Sequence, residues 1–125
     1  MRLLIDTHAL VWWLRLSARL SVRARSVIAD PLNQLYVSAC VGYEIVYKQQ
    51  LRRLPPMPSN LPDSLRRDRI TTLPISLDHA VAAAALPGPH RDPWDRIMIA
   101  QAKIEGLTVV TVDRVFQNYG VATLW

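Results

Sequence analysis

The chain carries only ten acidic residues, so each can be judged by its place. Asp6 follows the short apolar run Arg2–Ile5, and Asp113 follows the β-branched run Leu107–Val112 (LTVVTV). Glu44 stands on a predicted helix behind the run Gln34–Ser38 (QLYVS), while Asp92 and Asp95 open the helix that leads into LTVVTV. If these runs are parallel strands, the acids come from separate segments and meet at one end of the sheet. Converging carboxylates repel one another, and three or four together require protons or a cation. With a single cysteine, Cys40, and no histidine pair at metal spacing, the available donors are hard oxygens, which favour Mg2+ or Mn2+ over zinc. An ion of that kind activates water and stabilises charge on a phosphoryl oxygen. Metal-assisted phosphodiester hydrolysis is the reaction class that fits.

Every one of these residues also has a plainer role open to it. An aspartate that ends a strand is often a turn former or a helix cap. Asp92, followed by Pro93, has the form of an N-cap, and Asp95 is a favourable charge in a first helical turn. Glu44 lies among Val41, Tyr43, Ile45 and Val46, so it needs a partner or a metal. Asp30, Asp63, Asp68, Asp78 and Glu105 read as caps or solvated surface. His8 and His79 read as polar residues at helix ends, and Cys40 as a small buried side chain.

The elements that would position the acids follow from periodicity. Arg2–Ile5 is a strand feeding a helix over His8–Arg15, and a second helix spans Ser21–Asp30 with Val22, Ala24, Val27 and Ile28 on its apolar face. Gln34–Ser38 is a strand and Ala39–Leu51 a helix. The connector that follows holds Pro55, Pro56, Pro58 and Pro62; its Pro55/Pro58 spacing reads as a rigid link rather than a docking motif. A short helix ends in the basic cluster Arg66, Arg67 and Arg69, and Ile70–Ile75 is a brief strand that Pro74 places at a sheet edge. Ser76 or Asp78 caps an alanine-rich helix through Leu86, and residues 87–91 form a loop. The helix behind Asp92 runs to Glu105 and stops at Gly106, Leu107–Val112 is a strand buried on both faces, and Gly120–Leu124 is a last short strand. Alternating strands and helices predict an α/β fold, a mainly parallel sheet of four to five short strands in a single domain over 1–125.

Composition narrows the function classes. At 125 residues and half apolar, the chain can build one core, burying roughly two-thirds of its unfolded surface. The longest apolar stretches fall far short of the ~18 residues a membrane span needs, and Asp6 and His8 interrupt the one candidate signal-peptide core. A lone cysteine suits a reducing cytoplasm. The net charge of +5, with thirteen of fifteen basic residues arginine, suits a polyanionic partner, although a GC-rich genome produces the same bias. No G-x-G-x-x-G follows the first strand, which argues against dinucleotide binding. A haloacid-dehalogenase phosphatase would need a second Asp where this chain has His8, and a response regulator would need a central phosphoacceptor Asp within Ile70–Ile75.

The segments LLIDTHALVWWL (Leu3–Leu14), VSACVGYEIVYK (Val37–Lys48), LPGPHRDPWDRIMIAQAKIEGLTVVTVD (Leu86–Asp113) and the terminal YGVATLW resemble the PIN-domain ribonucleases, specifically the toxin subunits of VapBC-type toxin–antitoxin pairs. The resemblance covers nearly the whole chain in order. It implies a three-layer α/β/α fold, an acidic pocket holding Mg2+ or Mn2+, and cleavage of single-stranded RNA to 5′-phosphate and 3′-hydroxyl ends. It matches Asp6, Glu44, Asp95 and Asp113 to the family's four acids, with Asp6, Glu44 and Asp95 holding the metal and Asp113 completing the site or helping a second metal bind. Thr7 and Thr111 match small hydroxyl positions near the pocket, and Asp92, one helical turn before Asp95, is placed to support it indirectly. His90, Arg91 and Arg96 stand beside the acids, where they would hold RNA phosphates, balance charge or simply be solvated.

The resemblance further implies a homodimer, blocked by an antitoxin segment laid across the pocket. Adjacent Trp12 and Trp13 point about 100° apart: either one packs inside while the other lines a partner surface, or both are partly buried in the domain. Arg66, Arg67 and Arg69 are either an RNA or acidic-partner contact or a solvated basic face. Relatives would carry serine and tryptophan where this chain has Val41 and Tyr43, and Gly42 between them is also unexpected. If the missing hydroxyl orients a ligand, its loss alters activity or specificity. The rival from another class is a catalytically weak RNA- or antitoxin-binding module, which retention of all four acids disfavours.

Overall fold

Leu3, Leu4 and Ile5 are consecutive and all fully buried, so the first strand is covered on both faces. In the computed structural model, which describes every residue except Pro58, Pro89 and Arg91, this strand is β1 (Arg2–Ile5). It lies at the middle of a five-stranded sheet with β2 (Gln34–Ser38) and β3 (Ile70–Leu73) on one side and β4 (Thr108–Val110) and β5 (Thr123–Leu124) on the other. Every pairing is parallel, with Leu4 opposite Tyr36 in β2 and Val109 in β4. The chain adds strands outward from β1 in one direction and then returns to its other side. That reversal puts a crevice beyond the carboxyl ends of β1 and β4, where ligand sites form in such sheets.

Among the described residues seven helices complete a three-layer α/β/α arrangement: α1 (Thr7–Leu14), α2 (Val22–Ala29), α3 (Ala39–Gln50), α4 (Leu61–Arg67), α5 (Leu77–Ala85), α6 (Pro93–Glu105) and α7 (Val115–Asn118). Local chemistry sets the ends of α6: the Asp92 side chain accepts from the Trp94 and Asp95 amides, Pro93 occupies the first turn, and Gly106 takes the left-handed φ of 67° that stops the helix. Ser76 caps α5 by a reciprocal box in which the His79 ring nitrogen accepts from the Ser76 amide. His79 is buried, and its other nitrogen meets Glu105 at 2.9 Å, which ties α5 to α6.

Four expectations change. The strand predicted over Leu107–Val112 contracts to Thr108–Val110, and Val112 is 54% exposed, because the chain leaves the sheet after Thr111. Gly120–Leu124 contracts to Thr123–Leu124, the stretch that reaches β4. The predicted strand Ile70–Ile75 ends at Leu73, before Pro74, and β3 is indeed an edge. A short helix, α7, stands where none was predicted; it is anchored by Phe116, which is fully buried. The Pro55/Pro58 spacing falls partly outside the described residues.

Trp12 and Trp13 are both half-buried, in keeping with their shared packing inside the domain. Trp12 meets Trp125 edge-on at 5.7 Å, and the Trp13 indole donates to Asp68 at 2.9 Å. No helix among the described residues is long and apolar enough to cross a membrane.

Arg96 ties α6 to the end of α5. Its guanidinium donates to the carbonyls of Ala83, Ala84 and Leu86 at the end of α5 and to that of His90. These lie among the carbonyls at the end of a helix and in the following turn, where intrahelical donors run out, although the Ala83 carbonyl also accepts the Leu86 amide. Arg96→Ala is expected to lower stability by about 2–3 kcal/mol, read as a shift in urea midpoint without change in slope.

Candidate active site

The acid cluster is built around Asp6. Its backbone amide bonds to the Val110 carbonyl at 3.1 Å, which locks the end of β1 to β4. The side chain is 6% exposed and fully engaged: Oδ1 accepts from the Thr7 amide at 2.7 Å and Oδ2 from the Thr111 hydroxyl at 2.7 Å. Burial pushes its carboxyl above the usual range, and the charge of Asp113 adds to the rise. Hydrogen bonds from Thr111 and Thr7, and the nearby His8, work in the opposite direction.

The two threonines extend this centre to two further acids. The Thr7 hydroxyl donates to Glu44 Oε1 at 2.8 Å, so the first turn of α1 grips the carboxylate on α3. Thr111 Oγ1, while donating to Asp6, accepts the Asp113 amide at 2.9 Å and so fixes the turn behind β4. Glu44, Thr7, Asp6, Thr111 and Asp113 thus form a continuous chain across the ends of three elements. Asp95 joins electrostatically: burial raises its pKa to about 6, the charges of Asp92 and Asp6 push in the same direction, and a 2.9 Å contact with His90 Nε2 opposes them.

Two side chains pair with these acids. Lys48 Nζ lies 2.6 Å from Glu44 Oε2, one helical turn along α3, and His90 pairs with Asp95. The sequence left His90 open among a phosphate contact, charge balance and solvation; the structure places its Nε2 2.9 Å from Asp95 Oδ2. Lys48 went unremarked, although a Glu followed by Lys at i+4 is a readable signal. The donor set is all carboxylate oxygen, which fits a hard divalent cation by chemistry. Among the described residues, however, no three Asp, Glu, His or Cys side chains are gathered closely enough to grip one ion.

The other sequence-derived candidates fall in different places. Asp92 is the N-cap of α6 and raises the pKa of its neighbour Asp95. Arg96 is engaged by backbone carbonyls, and Arg91 lies outside the described residues. Arg66 pairs with Asp63, and Arg67 with Asp68, so two members of the basic cluster are neutralised locally. Cys40 is buried, with its thiol pushed up to about 11, chiefly by desolvation. Val41 is fully buried in the core, whereas Tyr43 is 57% exposed and stacks on Tyr47. A side chain at Gly42 would meet Leu61 at an ordinary 3.8 Å, so neither space nor backbone demands glycine there.

A parallel sheet with carboxylates beyond the ends of β1 and β4 defines a class of acidic-centred α/β domains. Residues 3–122 match the PIN domain family, and the chain belongs to it. It is similar to Ribonuclease VapC22 of Mycobacterium tuberculosis, 30% identical over 120 residues that cover 93% of this chain and 90% of that protein. Ribonuclease VapC16 of the same organism is 36% identical over 72 residues, 55% of this chain and 50% of that protein. Among solved structures, VapBC2 from Rickettsia felis bound to a DNA fragment from its promoter superposes with a TM-score of 0.68 at 15% identity, covering 99% of this chain and 98% of that one. FitAcB from Neisseria gonorrhoeae does so with a TM-score of 0.64 at 22% identity, covering 98% and 96%. These two superpositions establish the fold.

Proposed function

We propose that the chain is a divalent-metal-dependent endoribonuclease, the toxin of a toxin–antitoxin pair. The observation that carries this reading is the hydrogen-bonded chain from Glu44 through Asp6 to Asp113, with Asp95 coupled to it, in a PIN domain similar to a named ribonuclease over nearly its full length. The partners in this reading are RNA as substrate, a cognate antitoxin protein and a second copy of the chain, in the cytoplasm.

Asp6, Glu44, Asp95 and Asp113 would hold Mg2+ or Mn2+. When bound, such an ion supplies a water of lowered pKa and compensates charge on the phosphoryl group. The residues themselves contribute order: Thr7 and Thr111 fix Asp6 and Glu44 by donating to their oxygens, so little rearrangement is needed as charge develops. Hydrolysis of the P–O3′ bond adds water across it and leaves a 5′-phosphate and a 3′-hydroxyl. Mapping product ends tests this: ligation-competent 5′-phosphates support it, and 2′,3′-cyclic phosphates refute it.

Thr111→Val is expected to reduce cleavage by about tenfold or more. Its hydroxyl lowers the Asp6 pKa, so its removal raises that value further and moves the acid limb of the pH–rate profile upward. An unchanged profile would show that Thr111 does not serve Asp6.

A second reading, a binding module with weak catalysis, draws on the pairing of Glu44 with Lys48 and of Asp95 with His90, which leaves no three-ligand cage among the described residues. It predicts RNA or antitoxin binding without metal-dependent product.

A further inference from the structure

Five arginines differ from the rest in lining open concavities without a partner. Arg2, Arg25 and Arg96 donate to backbone carbonyls, and Arg66 and Arg67 pair with aspartates. Among the described residues, the guanidiniums of Arg15, Arg19, Arg23, Arg52, Arg53, Arg69 and Arg114 have no hydrogen-bond or ion-pair partner. Five of these seven, Arg15, Arg19, Arg53, Arg23 and Arg114, line two concavities, and Arg52 and Arg69 line neither. The first, about 620 Å³, is walled by His8 and Trp12 of α1, by Arg15 and Arg19 behind it, and by Arg53 behind α3; no acidic residue lines it. The second, about 430 Å³, is walled by Arg23 of α2, by Thr111, Asp113 and Arg114, and by Trp125. Trp12 of the first touches Trp125 of the second edge-on at 5.7 Å, so the concavities share a wall of two half-buried indoles. Both border the acid cluster: His8 adjoins Thr7 and lies close enough to lower the Asp6 pKa, and Thr111 donates to Asp6.

We propose that these concavities are one track for a single RNA strand, with Arg15, Arg19 and Arg53 taking phosphates on one side of the scissile bond and Arg23 and Arg114 taking them on the other. The assignment rests on the ribonuclease reading above. A polyanion must be brought against carboxylates that repel it, and unpartnered cations flanking those carboxylates supply the opposing attraction. The guanidinium fork matches phosphate oxygens, and no internal acid competes for it in the larger concavity. Each concavity is the size of a small-ligand pocket, which admits one or two unstacked nucleotides and no duplex. The remaining exposed surface of Trp12 and Trp125 offers the stacking that a basic groove needs to hold bases without reading sequence.

The test is fluorescence anisotropy of a labelled, unstructured 20-nucleotide RNA in EDTA, so that binding is read without cleavage. Arg15→Gln/Arg53→Gln and Arg23→Gln/Arg114→Gln are each expected to weaken binding about tenfold and to reduce the slope of log Kd against log salt by about 1.4, two phosphate contacts at ~0.7 each. All four positions are exposed or outside the core, and Arg66→Gln/Arg67→Gln is expected to change affinity less than about twofold. Unchanged affinity and slope in both groove variants, or equal affinity for the matched duplex, would overturn the track and leave the nuclease reading standing. Retained RNA affinity with lost binding to a glutamate-rich 20-residue peptide would assign the groove to an acidic protein segment and likewise overturn it. RNA held through these arginines but left uncut in Mg2+ or Mn2+ would support the track and remove the nuclease reading; a wild type that binds no RNA would end both.

Discussion

Asp6→Asn is expected to reduce RNA cleavage by about 10³-fold or more while the protein stays folded. The substitution preserves volume at a site that is 6% exposed. Asn keeps an oxygen to accept from the Thr7 amide, and its amide group donates to Thr111 Oγ1, which has a second lone pair for the Asp113 amide. What is lost is the hydroxyl's own acceptor, a cost of about 1 kcal/mol, offset by no longer burying a carboxylate whose charge desolvation already disfavours. The charge that would face a cation disappears, and with it the function assigned to the cluster. Thermal melting together with product yield checks both halves. Wild-type cleavage by a folded Asp6→Asn variant would remove Asp6 from the chemistry.

Asp95→Asn should trade activity for stability. The folded protein holds the Asp95 proton to about pH 6, whereas the reference carboxyl releases it near 3.8, so between those values the native state binds more protons than the unfolded state. Stability contributed by this group is therefore present below about pH 4 and is lost as pH rises through about 6. The shift alone corresponds to about 3 kcal/mol, which solvent screening of a partly exposed side chain, and the loss of a favourable charge in the first turn of α6, reduce to about 1 kcal/mol. In EDTA at pH 7.5, Asp95→Asn is expected to be more stable than wild type by about that amount, with the gain vanishing near pH 4, while cleavage in Mg2+ or Mn2+ falls about 10²-fold or more. A variant less stable at pH 7.5 would show that Asp95 serves the ion pair with His90 rather than a site whose charge is maintained against the fold.

The legible parts of this molecule are those decided by neighbouring residues. Asp92, Pro93 and Gly106 fix α6 from within a few positions of chain, and a carboxylate just after a run of apolar residues locates Asp6 at the end of β1 without knowledge of the sheet, whereas Asp113 falls in the turn three residues past the end of β4. That the sheet is parallel was inferable from alternation alone; the order of its strands was not. What escaped depends on distant partners. β4 and β5 are short because only a few residues find pairing partners, and α7 exists because Phe116 finds a place in the core. Gln101, polar and mid-helix, is completely buried and donates to the Pro74 carbonyl, a contact 27 positions away. The arginines illustrate the point most directly. The visible cluster at 66, 67 and 69 is partly neutralised by Asp63 and Asp68, whereas the five unpartnered arginines that line the concavities come from five separate positions, and Arg96, beside the acids in sequence, is bound to backbone.

The central claim is that the carboxylates around Asp6 form a metal-dependent ribonuclease centre. It is tested most directly by incubating the purified chain with a pool of tRNA, rRNA and unstructured RNA in Mg2+ or Mn2+, beside an EDTA control and the Asp6→Asn variant. The account predicts discrete cleavage products in metal, and intact RNA in both controls. Products that persist in EDTA or with Asp6→Asn, or RNA left intact by the folded wild type in either metal, would contradict it.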